Sequence, residues 1–111
     1  TSPHMQDPGF IGKAKEMLHA DLGGVMKLDE MSKELDLSKF QLIRMFKAQT
    51  GISPYQYFLN RKIEYAKYLI EKKKDVYVAV TECGFVDLTH LNKHFKSVYG
   101  ITAFEYMTYL G

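Results

Sequence analysis

The side chains best suited to recognise a polyanion or the edge of a base fall in two clusters of matching layout. Lys39, Phe40, Ile43 and Arg44, with Lys47 one turn on, share a helix face by their spacing, as do Leu88, Thr89, Asn92 and Lys93, with Lys96 one turn on. Arginine carries paired donors that match guanine, asparagine matches adenine, and threonine can donate or accept. Arg44, Asn92 and Thr89 are therefore candidate base contacts, Lys93 can serve base or phosphate, and Lys39 lies beside them. Phe40, Ile43 and Leu88 are apolar where water would otherwise be met, which fits thymine methyl groups and equally fits packing against protein. Neither face carries an acid after its capping residue.

Phosphate is best received at helix N-termini, where unpaired N–H groups and the helix dipole favour an anion. The pattern places two such ends near Leu28-Asp29 and Val76-Tyr77, although Asp29 itself satisfies the first. Lys47, Lys96 and Arg61 are the side-chain candidates for the same task.

Other chemistries find little support. His90 and His94 stand four apart, a spacing that can share a metal, but no third ligand is fixed near them, so packing or groove-side roles are expected and no metal is assigned. Cys83 falls at an inward helical position without an electropositive neighbour to activate it, and reads as a small buried hydrophobe. No glycine-rich phosphate loop follows a strand and no serine sits in a nucleophile elbow, so neither an enzyme nor a cofactor is expected. Tyr57, Phe58, Phe95 and Tyr106 lie in apolar stripes where core packing explains them better than stacking on unpaired bases.

The elements that must hold the two clusters are helices. Phe10, Ala14, Met17, Leu18 and Leu22 recur at helical steps until Gly23-Gly24, and Leu28, Met31, Ser32 and Leu35 mark a short second helix. Ser38 with Gln41 three residues later forms a capping box for a third, with Leu42, Met45 and Phe46 inward and Gly51 at its end. Ser53-Pro54 starts the longest helix, which runs through Tyr57, Phe58, Ile63, Ala66, Leu69 and Ile70 towards Lys74. Val76, Ala79, Val80 and Cys83 precede Gly84. Asp87 then caps a helix with Leu91 and Phe95 inward that ends at Gly100, and a last helix starts at Thr102. No segment alternates with period two, so no sheet is expected.

One unit is present twice. A shift of 49 positions lays Leu42 on Leu91, Phe46 on Phe95, Lys47 on Lys96, Gly51 on Gly100, Ile52 on Ile101 and Tyr57 on Tyr106, with Arg44 on Lys93 and Ser53 on Thr102. Upstream the shift is 48, pairing Leu28 with Val76, Met31 with Ala79 and Leu35 with Cys83, so the second turn is one residue longer. Repeated glycines and repeated caps are breaks that apolar periodicity alone would not reproduce. Each unit is two short helices joined by a tight turn, the arrangement in which the second helix enters a major groove. The helix between them spans Ser53 to Lys73, roughly 30 Å at the rise of an α-helix, against roughly 34 Å between successive major-groove faces. One chain can thus reach both grooves without dimerising, and with a shorter reach either the DNA must bend or one helix must disengage.

A net charge of +2 from 15 basic and 13 acidic residues says little about nucleic acid by itself, so the distribution carries that case. The apolar runs are too short to cross a bilayer, and a single cysteine suits the cytoplasm better than an oxidising compartment. Thr1-Ser2-Pro3-His4-Met5 reads like an expression scar ahead of a start methionine, and residues 1–9 are set aside as leader. The domain is expected over 10–111, with a first helix-turn-helix unit at about 27–51, the linker helix at about 53–74, the second unit at about 75–100 and the last helix at about 102–110.

These residues resemble the DNA-binding domain of the AraC/XylS family of bacterial transcription regulators, over about 100 residues from Ile11 to Leu110. The first half matches through Leu28-Asp29-Glu30-Met31-Ser32-Lys33-Glu34-Leu35, Ser38 to Phe46-Lys47 and Thr50-Gly51-Ile52-Ser53-Pro54. The second, more diagnostic half matches through Cys83-Gly84-Phe85-Val86-Asp87, His90-Leu91, Phe95-Lys96, Tyr99-Gly100-Ile101-Thr102 and Tyr106. The resemblance implies an all-α fold of about seven helices, with two helix-turn-helix units joined by a long central helix. It also implies binding of an asymmetric double-stranded DNA site as a monomer or as half of a dimer, and recruitment of RNA polymerase. On it, Phe40, Ile43, Arg44, Leu88, Thr89, Asn92 and Lys93 occupy the family's base-facing positions, and an N-terminal effector or dimerisation domain is expected outside this chain. Asp36 stands where the first unit often has glycine, and Ser32 and Val80 where alanine is common, departures that touch turn geometry and packing rather than the groove face. The alternative function is a helical protein-interaction module that kept the fold and lost DNA binding, with Phe40, Ile43 and Leu88 as its apolar docking patch.

Overall fold

The computed structural model describes residues 8–111, and all the regular elements among them are helices. They are α1 (Pro8–His19), α2 (Leu28–Glu34), α3 (Lys39–Thr50), α4 (Pro54–Lys73), α5 (Val76–Glu82), α6 (Leu88–Tyr99) and α7 (Ala103–Leu110). The expected all-α fold with two helix-turn-helix pairs and a long helix between them is borne out. The leader expected over 1–9 lies outside the described residues as far as residue 7, and α1 already starts at Pro8.

The helices divide into two compact units, the first holding α1, α2, α3 and the start of α4 to Phe58. Its core is the inward face of each helix: Phe10, Ala14 and Leu18 from α1, Met31 from α2, Leu42, Met45 and Phe46 from α3, and Phe58. Phe46 is fully buried, so its truncation to alanine would remove about 3–5 kcal/mol. Ser38 caps α3 through the expected reciprocal pair, its hydroxyl accepting from Gln41 N–H at 3.1 Å while its own N–H donates to Gln41 Oε1 at 3.0 Å. Ser32, buried where alanine would pack as well, satisfies its hydroxyl by donating to Asp29 O at 2.9 Å.

The turn of this unit is as tight as that of the second despite Asp36. That residue takes a left-handed φ of 56°, as Gly84 does at 71°, and the bonding around the two is the same. Leu37 N–H reaches Ser32 O at 2.9 Å, and Phe85 N–H reaches Val80 O at 3.0 Å. A short polar side chain such as aspartate tolerates this conformation better than most, which is why glycine can be absent here.

The second unit holds Leu22–Gly24, the rest of α4, and α5, α6 and α7. Ile63, Ala66, Leu69 and Ile70 of α4 pack with Val76, Ala79, Cys83, Phe85, Leu91, Phe95 and Ala103 in one buried cluster. Caps separate the helices: Asp75 on Tyr77 N–H at 2.9 Å, Asp87 on His90 N–H at 2.8 Å, and a second capping box between Thr102 and Glu105. Tyr106 adds a hydroxyl donated to Glu71 at 2.6 Å, which ties α7 to α4. That bond holds the Glu71 carboxyl below its usual range and pushes the Tyr106 phenol up to about 12. Helix α1 ends at His19, short of the expected Leu22, and Leu22–Gly24 group with the second unit. No helix among the described residues is long and apolar enough to cross a membrane.

Candidate nucleic-acid interface

In α3 the inward positions are taken by Leu42, Met45 and Phe46, which leaves Lys39, Phe40, Ile43, Arg44 and Lys47 exposed. Phe40 is 68% exposed, a poor position for a large ring unless something covers it. The Arg44 guanidinium lies 5.5 Å over that ring, a cation–π contact that limits the arginine's freedom before any ligand arrives. Lys39 is held by Asp29 of α2 at 2.8 Å, and its hydrogen bond and charge keep the Asp29 carboxyl below the usual carboxylate range. Both partners are well exposed, so the pair is weak and can yield to a phosphate.

In α6 Leu91 and Phe95 point inward, and Thr89, Lys93 and Lys96 are exposed. Lys93 stands at the register of Arg44, and Lys96 at that of Lys47. Two of the expected base contacts are changed by their surroundings. Leu88 is half-buried and packs against the core cluster, so its methyl groups are already partly covered. Asn92 is half-buried too, and its Oδ1 accepts the N–H of Phe104 in the first turn of α7 at 3.1 Å, so an adenine would compete with that N–H for the oxygen.

The expected phosphate contacts also divide. Lys47 and Lys96 are free of the core and exposed near the C-terminal ends of the reading helices. Arg61 is half-buried and pairs with Glu64 at 2.6 Å, so a phosphate there would compete with that carboxylate. Val76 is fully buried, so only its backbone could meet a phosphate, and the Asp75 carboxylate already occupies that helix start. At α2 no side chain caps the start beside Leu28, but Asp29 and Glu30 fill its first turn with negative charge.

The histidine pair on α6 that the spacing marked for packing or groove-side roles makes a direct contact. His90 and His94 join Nε2 to Nε2 at 3.0 Å, and Phe85 packs on both rings at 5.4 and 6.3 Å. His90 Nδ1 is buried with no partner among the described residues, and a buried lone pair costs less than a buried unmet donor. The pair is therefore assigned with His90 Nε2–H donating to His94. Burial of His94, then the nearby His90 and Lys93, lowers its pKa below the usual histidine value. The i, i+4 spacing was the visible signal, and packing is what it encodes. Among the described residues no group of three or more His, Cys, Asp or Glu could hold a metal ion. Cys83 is fully buried, and burial pushes its thiol up to about 12.

Comparison with known proteins gives the same architecture. A family model described as a helix-turn-helix domain matches residues 31–109. The Msm operon regulatory protein of Streptococcus mutans is 26% identical over 92 residues, covering 82% of this chain and 33% of its own. A crystal structure of a transcriptional regulator from Chromobacterium violaceum, described as containing an AraC-type DNA-binding domain, superposes with a TM-score of 0.83 at 22% identity, covering 93% of each chain. The C-terminal domain of the two-component response regulator yesN from Fusobacterium nucleatum superposes with a TM-score of 0.72 at 30% identity, covering 86% of this chain and 95% of that one. The chain spans about a third of the length of the first curated relatives it matches.

Proposed function

The chain belongs to the AraC-type helix-turn-helix family of bacterial transcription regulators, and from that membership we propose that α3 and α6 are reading helices for successive major grooves of one double-stranded DNA site. The observation that carries this reading is the match of Arg44 with Lys93. Both are exposed on the outward face of the second helix of a pair, at the same register, with the same glycine-ended helix behind them. Arg44, set on Phe40, reads guanine, with Ile43 and Phe40 against thymine methyl groups, and Thr89 and Lys93 do the same work from α6. Leu88 and Asn92 contribute only at the edge of that face. Lys47 and Lys96 hold phosphates, and Lys39 exchanges Asp29 for one.

The α4 helix, 20 residues or roughly 30 Å long, matches the reach that two adjacent grooves demand. In this reading 10–111 is the reading domain, and the full-length protein adds an N-terminal effector or dimerisation domain and recruits RNA polymerase in the cytoplasm. A fluorescence-anisotropy titration on DNA recovered by random-site selection tests it. Binding should weaken steeply with salt, and removal of both Lys47 and Lys96 should lower the slope of log K against log salt by about 2. A slope unchanged by that double substitution would remove these lysines from the interface.

A further inference from the structure

Among the described residues Lys62 is the one buried lysine, only 8% exposed, and the binding face does not use it. Its ammonium donates to Cys83 O at 2.8 Å and to Gly24 O at 2.8 Å, and stands 5.9 Å from the centre of the Phe85 ring. The two carbonyls come from two backbone segments that touch. A Cβ on Gly84 would stand 2.2 Å from Gly23 O, and a Cβ on Gly23 would stand 2.6 Å from Glu82 O. Two strands of backbone so close, with two carbonyl oxygens aimed at one point, repel unless a cation lies between them. Burying an ammonium is costly, and a methionine of the same length would fill the space without that cost. What the charge adds is direction.

That direction acts on the segment leading into α6. Cys83 is the C-cap of α5, and the turn from Gly84 leads to Asp87, the cap that starts α6. Phe85, under the Lys62 ammonium, is also the ring on which His90 and His94 of α6 pack. We propose that Lys62 is a positioning residue for the second reading helix: it locks the Gly23-Gly24 loop to the Cys83-Gly84 turn and so sets the angle at which Thr89 and Lys93 are presented. The proposal rests on the groove reading given above. Lys62 touches no DNA in it and acts wholly through the turn.

Random-site selection with the full chain tests it, scoring base preference position by position. Arg44→Ala defines the positions read by α3, and Lys93→Ala those read by α6. Lys62→Met should flatten the positions that Lys93→Ala flattens, leave those of Arg44→Ala intact, and weaken binding about tenfold. Lys62→Arg, which keeps the charge and the donors, should restore the profile. Lys62→Gln keeps a donor and should give the same half-selective pattern to a smaller degree if the methionine variant does not fold. A Lys62→Met or Lys62→Gln profile like that of the parent overturns the proposal. So does equal flattening of both halves with Lys62→Arg behaving as Lys62→Met. If Arg44→Ala and Lys93→Ala leave every position unchanged, the groove reading itself has failed and the proposal falls with it. That outcome is distinct from failure of the lysine alone, in which those two variants behave as expected.

Discussion

Asn92 Oδ1 receives the backbone N–H of Phe104 at 3.1 Å, so a side chain on the edge of α6 supplements the Thr102 cap in the first turn of α7. Asn92→Ala should therefore cost about 1 kcal/mol of stability, as loss of a capping acceptor does. Asn92→Asp, which keeps the acceptor, should retain that stability and weaken DNA binding by placing a negative charge beside Lys93. Urea unfolding of the two variants separates these effects. Equal stability of Asn92→Ala and the parent would show that the contact contributes nothing.

The bond from Asn92 also shows where sequence reading reached its limit. The helices were legible because apolar spacing and caps are local signals, and the Ser38–Gln41 box and the glycines at 51 and 100 stand in the chain as they stand in space. The outward register of Phe40, Ile43, Arg44, Thr89 and Lys93 followed from the same spacing. Contacts between elements were not legible. Nothing near Asn92 in sequence says that Phe104 needs an acceptor, and a lysine such as Lys62 reads as solvated surface until Gly24 and Cys83 are brought to it. The pairing of Arg61 with Glu64 is different, since its i, i+3 spacing is a local signal that stands in the chain.

Helix ends supply a second test. Gly100 ends α6 with a φ of 84°, whereas Lys74 follows α4 with a φ of 55° and must tolerate the same left-handed region with a side chain. Gly100→Ala should lose about 1 kcal/mol and Lys74→Gly should gain about 0.5 kcal/mol, both measurable by thermal unfolding. The same sign for both substitutions would contradict this reading of the two ends.

The thiol of Cys83 offers a third. With its pKa raised to about 12 by burial, it should stay unreacted with a disulfide reagent at pH 8 in the native protein and react fully once denaturant is added. Rapid reaction under native conditions would mean that the turn beneath Phe85 opens readily.

Acid should weaken the second unit through His94. Its pKa is lowered in the folded state by burial first and then by His90 and Lys93, so the unfolded chain binds the proton more readily. Stability should be flat above the ordinary histidine value of 6.5 and fall as pH drops below it, until the folded-state value is passed. His94→Gln should flatten that dependence in melts between about pH 5.5 and about pH 7.5, one unit to either side of an ordinary histidine. An undiminished acid dependence in that variant would assign the effect to other groups.

The central claim is that two reading helices of one chain engage one face of a duplex, a turn apart. The most direct measurement inserts five base pairs, about half a helical turn, between the halves of a selected site and compares affinities by anisotropy. The account predicts a loss of about 100-fold or more, to the level of a site with one half scrambled, and no recovery when a further half turn is added, because a rigid linker of about 30 Å cannot reach a groove two turns away. Unchanged affinity on the five-base-pair insertion would contradict it, because a chain that reads with one helix alone is indifferent to the rotation of the second half.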